Sequence, residues 1–184
     1  MKRRALLVAA LALAGGPALA QIDPLTLKPI VKAVREGDDE KVRSALLKGE
    51  SPNQNDTTGQ PLLMVAVVAG HIAVVQTLLK GGAFVDGTDR EGYTSLIRAA
   101  ERGDAEMVEI LLARNARVDT QTRQGATALS IAARLGFAEV VRALLAKKAD
   151  PNKADFTGRT PLAYARQNRR QSIEIMLRQA GGRE

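Results

Sequence analysis

Two spacings govern the apolar residues of this chain. Within short segments they fall at i, i+3 and i+4, as in Val74, Val75, Leu78 and Leu79, or Val140, Val141, Leu144 and Leu145. That is the stripe of a helix buried on one face. Over longer distances the same positions return every 33 residues: Leu46, Leu79, Leu112 and Leu145; Val42, Val75, Val108 and Val141; Ala33, Ala66, Ala99, Ala132 and Ala165. The interruptions keep the same period. Gly37, Gly70, Gly103 and Gly136 form one column, Gly59, Gly92, Gly125 and Gly158 a second, and Asn53, Asp86, Asp119 and Asn152 a third. Such alignment is an internal repeat of about five copies.

The stretch Gly125–Asn152 shows one copy in full. A turn opens on Gly125, an Ala-rich helix runs to Arg134, Gly136 stops it, a second helix carries Val140 to Leu145, and a loop closes in Asp150-Pro151-Asn152. The Gly59 column follows polar pairs such as Arg90-Glu91, where a turn needs positive φ. The Ala33 column sits inside the first helix, where only a small side chain lets helices pack closely. The Gly37 column marks the end of that helix. The Asn53 column is expected to cap its own loop, because short amide and carboxylate side chains bond nearby backbone.

Composition narrows what such a core can be. Apolar residues make up 45% of the 184, but aromatics only 3%, with no Trp. Ala, Val, Ile and Leu must fill the interior, which suits close helix packing better than a large pocket. The absence of Cys removes disulfide and thiolate chemistry. A single His, His71, excludes a His-based metal cluster within the chain.

The first twenty residues read as a leader. Lys2, Arg3 and Arg4 are followed by an apolar run from Ala5 to Ala14, the breaker Gly15-Gly16-Pro17, and the small-x-small pattern Ala18-Leu19-Ala20. This predicts a secretory signal peptide cleaved between Ala20 and Gln21, and the run is about half the length a membrane span needs. The expected location is the periplasm. Three of the 27 basic residues leave with the leader, so the net charge falls from +7 to +4, with 24 Lys+Arg against 20 Asp+Glu. A charge that small is a solubility feature and not a nucleic-acid footprint.

The repeat resembles the ankyrin repeat, with its turn G-x-T-P-L-H-x-A-A, G-H break, V-V-x-L-L-L helix and G-A-D-V-N loop. Gly158-Arg159-Thr160-Pro161-Leu162, Gly70-His71 with Val74-Val75, and Gly81-Gly82-Ala83-Phe84-Val85-Asp86 carry the likeness, which spans about residues 27–182. The His that follows T-P-L in that family is replaced by Val31, Met64, Ile97, Ser130 and Ala163, a departure that bears on a side-chain-to-turn hydrogen bond and not on the fold. The resemblance implies an all-α solenoid of helix-turn-helix repeats, at about 27–55, 56–88, 89–121, 122–154 and 155–184, behind a short extension at 21–26. The ends fit a complete array. Lys41 interrupts an apolar column in the first copy, and Glu174, Arg166 and Arg178 do so in the last, as solvent-facing terminal repeats require.

Catalytic readings find little purchase. His71 opens a second helix, where a structural role is expected. Gly81-Gly82 and Gly181-Gly182 fall at helix ends, and Asp38-Asp39-Glu40 complement a helix dipole. The chain is therefore read as a non-enzyme without cofactor, metal or small-molecule substrate, and as a monomer when unbound.

Ankyrin-type arrays bind proteins through turn tips and the exposed side of the first helices. Carried onto this sequence, the resemblance marks Arg90, Tyr93, Arg102, Arg123, Arg134 and Phe156 as the candidate partner-binding set. Arginines there favour an acidic partner surface, and Tyr93 and Phe156 are two of only five aromatics. An immunity or inhibitor protein and an accessory factor of a periplasmic stress enzyme are the roles left open within that class. The alternative is an envelope-associated structural protein whose basic C-terminal cap, around Arg169 and Arg170, contacts anionic lipid.

Overall fold

A computed structural model describes residues 28–183. The expected leader, its cleavage pair Ala20 and Gln21, and the 21–26 extension lie outside the described residues. Within them, ten helices follow one another as five hairpins: α1 (Pro29–Glu36) with α2 (Asp39–Leu47), α3 (Leu62–Ala69) with α4 (Ile72–Lys80), α5 (Ser95–Arg102) with α6 (Ala105–Ala113), α7 (Ala128–Leu135) with α8 (Ala138–Ala146), and α9 (Pro161–Gln167) with α10 (Gln171–Gln179). Extended pairing among these residues is limited to the isolated bridges Asn55–Pro61 and Thr88–Thr94 at the turns.

The helices stack in two layers. In the inner layer α1, α3, α5, α7 and α9 pack on their neighbours in series, and the alanine column supplies the close approach. Ala66, Ala99, Ala132 and Ala165 are fully buried and Ala33 nearly so. Second helices form the outer layer through Val74, Val75 and Leu78, Met107, Val108 and Leu111, and Val140, Val141 and Leu144, all at 0% exposure. These larger residues hold the outer helices further apart than the alanines hold the inner ones. The array therefore curves toward its inner layer, and α4 and α6 touch least among successive outer helices.

Helix ends follow from local chemistry. Thr94, Thr127 and Thr160 cap α5, α7 and α9, each side-chain oxygen accepting from the backbone N–H of Ile97, Ser130 or Ala163. Pro61 stands at that place before α3 and makes no side-chain cap. Of the residues that replace the family's His, Ser130 retains a turn bond. Its hydroxyl donates to the Thr127 carbonyl and accepts from the Thr127 N–H.

First helices end on a left-handed residue; in three copies a side chain of the next repeat lies tightly on it, and in the second Arg102 Nη2 stands 3.6 Å from where a Cβ of Gly70 would be. The His71 ring covers Gly37, the Phe137 ring covers Gly103, and the Arg170 guanidinium covers Gly136. His71 Nε2 also stands 3.2 Å from the Arg35 carbonyl oxygen, which is the structural role expected of it. In the last copy Arg169 occupies the left-handed position, at φ 55.

The Asn53 column corrects the sequence reading. Asn53 Oδ1 accepts from Phe84 N at 2.7 Å, Asp86 Oδ1 from Arg117 N at 2.9 Å, Asp119 Oδ1 from Asp150 N at 3.0 Å, and Asn152 Oδ1 from Arg183 N at 2.7 Å. Each side chain thus reaches 31 residues ahead instead of capping its own loop. The short side chain in the loop that closes one repeat stitches that loop to the closing loop of the next. At the ends, Lys41 is exposed and bonds Asp38 at 2.5 Å, and Glu174 lies between Arg166 and Arg178.

A methyl group at Gly103 would stand 2.6 Å from the Phe137 ring and also force a non-glycine residue to φ 71, whereas one at Gly158 would meet nothing within 4 Å. Gly103→Ala is expected to cost about 2–4 kcal/mol and Gly158→Ala about 1–2 kcal/mol in urea denaturation. Lys148 holds a left-handed position at φ 63 that Gly49, Gly82 and Gly181 hold in other copies. Lys148→Gly is expected to raise stability by about 0.5–1 kcal/mol in the same assay.

Candidate interaction face

The turns project from the inner layer, and each is built on one side chain. Asp56 Oδ1 accepts from Thr58 N, Thr58 Oγ1 and Gln60 N. Asp89 Oδ1 accepts from Glu91 N and Tyr93 N, and Asp155 Oδ1 from Thr157 N, Thr157 Oγ1 and Arg159 N. Thr122 does the same through its hydroxyl oxygen, which accepts from Gln124 N and Ala126 N. The second carboxylate oxygens are also taken, by Arg35 on Asp56 (2.7 Å), Arg98 on Asp89 (2.9 Å) and the Tyr164 hydroxyl on Asp155 (2.5 Å). This column, Asp56, Asp89, Thr122 and Asp155, keeps the 33-residue spacing, which is its signal in the sequence.

Successive tips are joined. Arg123 N donates to the Glu91 carbonyl at 2.9 Å, and Phe156 N to the Gln124 carbonyl at 3.1 Å, tying the third, fourth and fifth turns into one ribbon. Between the second and third turns the Arg90 side chain lies over Gly59 instead.

Charge on this face is lopsided because of these bonds. The turn aspartates are spent on backbone and on Arg35, Arg98 and Tyr164, and Glu101 pairs with Arg98 at 3.0 Å, which leaves Glu91 as the exposed turn carboxylate without an ion pair among the described residues. Arg90, Arg102, Arg123 and Arg134 are exposed and have no ion pair among the described residues. Arg90 and Arg123 stand at turn tips, and Arg102 and Arg134 in the last turn of α5 and α7, at the end of each first helix away from its turn.

The two aromatics differ. Phe156 is 73% exposed at the fifth tip, its ring edge resting on Gly125. Tyr93 is half-buried, and the Arg98 guanidinium stacks on it 3.6 Å from the ring centroid. It is therefore part of the groove wall and not a freely projecting anchor. Sequence reading also passed over the floor of the groove, the column Val65, Arg98, Ile131 and Tyr164, which alternates apolar and polar residues from repeat to repeat.

The repeat geometry has an independent counterpart. A family model described as ankyrin repeats (3 copies) matches residues 30–122 and again 114–183. The chain belongs to the ankyrin repeat family. Ankyrin repeats are protein–protein interaction modules and are generally non-catalytic, so the turn-and-helix face is the one to examine for a protein partner. No curated protein matches the chain. Among the described residues, no helix is long and apolar enough to cross a membrane, and no group of three or more His, Cys, Asp or Glu side chains could hold a metal ion.

Asp155 ties the ankyrin turn of the fifth repeat to acid. Burial pushes its carboxyl up, but hydrogen bonds from Thr157, Tyr164 and the Arg159 backbone outweigh this and hold it at about 2. The same bond pushes the Tyr164 phenol above its ordinary value. With the folded value below the unfolded one, the stabilisation is complete above about pH 4 and is lost as pH falls through about 2. Asp155→Asn is expected to lower stability near neutral pH by about 2 kcal/mol and to flatten the acid limb of a stability-versus-pH profile between pH 4 and 2.

Proposed function

We propose that this chain is an exported interaction module that holds a protein partner with an acidic surface in the concave groove of its ankyrin array, in the periplasm. The observation that carries the reading is the surplus of unpaired arginine along one face. Among the described residues Arg90, Arg102, Arg123 and Arg134 have no ion pair, and against these four the exposed carboxylate left over on the turns is Glu91, the turn aspartates being taken by backbone, Arg35, Arg98 and Tyr164. Unpaired guanidinium groups at a groove rim steer and orient an acidic surface, and Arg is favoured at interface anchors. The leader read from residues 1–20 supports export, and the family supports binding over catalysis.

The lipid-contacting alternative is less well supported by the C-terminal cap. Arg166 and Arg178 share Glu174, and Arg170 lies on Gly136, so much of that cluster serves the last hairpin. Within the preferred reading, an immunity or inhibitor role would require a tight complex that blocks a toxin. An accessory role would require one that leaves its enzyme active.

Tyr93 is a poor choice for testing the face, since its packing under Arg98 would make Tyr93→Ala a stability change. Arg102→Glu with Arg123→Glu removes nothing buried and reverses two charges. The expected outcome is a shift in melting temperature within about 2 °C and at least tenfold weaker capture of the partner from envelope extract, measured by quantitative mass spectrometry. Capture unchanged by both substitutions would discard the concave face as the site. N-terminal sequencing of the protein recovered from the periplasmic fraction tests export, with Gln21 expected as the first residue.

A further inference from the structure

The groove is not uniform along its length, and its two ends select different chemistry. At the second repeat, a depression of about 350 Å³ is lined by Val65, Val68 and Ala69 below the tip residues Thr58 and Gln60. Val68 is 40% exposed and Ala69 after it is exposed too, whereas α3 is buried from Leu62 to Val67. At the fourth repeat, a second depression of about 240 Å³ lies between Tyr93, Gln124 and Arg134, with Thr122, Ser130 and Tyr164 in its wall. That volume is below the roughly 300–1,000 Å³ of small-molecule pockets and suits one partner side chain.

The second depression is rich in donors. The Tyr164 hydroxyl and the Asp155 carboxylate are committed to each other, and Thr122 and Ser130 serve the turn. The Tyr93 hydroxyl, the Gln124 amide and the Arg134 guanidinium have no hydrogen-bond partner among the described residues. Three free groups, two of them donors that a carboxylate satisfies and one a full positive charge, face a space of side-chain size. An acidic side chain fits that set better than an amide, because only it answers the charge on Arg134.

Val68 and Arg134 occupy the same place in the repeat, two copies apart. Neighbouring inner helices lie about 8–10 Å apart, so the two sites are separated by about 16–20 Å. An extended chain covers that in about five or six residues. Resting on the concave-face reading, the geometry points to a linear partner segment. It lays an aliphatic side chain against Val65 and Val68 and, about five or six residues along, a Glu or Asp carboxylate on Arg134, Gln124 and Tyr93.

The test is selection of linear dodecapeptides from a phage-displayed random library on the purified chain, followed by affinity measurement on variants. Selected peptides should carry an aliphatic residue and an acidic residue at that spacing. Arg134→Gln and Val68→Gln, both at exposed positions, should each weaken them at least tenfold with the melting temperature unchanged. Arg114→Gln, on the loop after α6, should change binding less than twofold. Peptides that respond to Arg102→Glu with Arg123→Glu but not to Arg134→Gln would leave the concave face standing and overturn the segment. Peptides indifferent to every groove substitution would overturn both, and a selection with no acidic position, or with no binder, would overturn the segment.

Discussion

First helices can approach one another only where nothing larger than a methyl group stands between them. The alanine every 33 residues, buried to 0–1% in each copy, meets that condition. Everything else in the array depends on it. Close inner helices set the curvature, place successive turns within hydrogen-bonding reach of each other, and bring His71, Phe137 and Arg170 down onto the helix ends of the preceding repeat. No single hairpin of this size could bury its own apolar stripe, so the contact between repeats is the core.

Periodicity made the framework readable, because a residue type recurring at 33 marks a constrained position whatever the constraint is. It does not say where the partner lies. Asn53 and its equivalents have the chemistry of a local cap, and only the stacking of repeats reveals that the partner is a backbone N–H in the next loop. Tyr93 sits beside a turn glycine and reads as free; it is covered because Arg98, from the following helix, pairs with Asp89 and is thereby held over the ring. The Asp56 column escaped notice because Thr122 interrupts it. Thr122 nonetheless performs the same task with a hydroxyl, so the constraint is on an acceptor and not on a carboxylate.

The same turn chemistry gives the groove its polarity. A turn aspartate whose one oxygen holds the tight turn and whose other is taken by Arg35, Arg98 or Tyr164 has no oxygen left for Arg90, Arg102, Arg123 or Arg134. Fold and electrostatics are therefore coupled: organising three of the turns with aspartate withdraws negative charge from the face on which they stand and leaves the rim cationic. On the proposed concave-face reading, partner choice falls to positions the period does not explain, Arg123, Gln124 and Arg134 among them.

The seam between the second and third hairpins is set apart from its neighbours. Its outer helices α4 and α6 touch least, and its turns lack the tip-to-tip bond that joins the later ones. The seam is carried by α3 against α5 and by the stitch from Asp86 to Arg117 N. A segment lying along the groove as proposed spans that seam, and so adds contacts where the outer helices and the turn tips supply fewest.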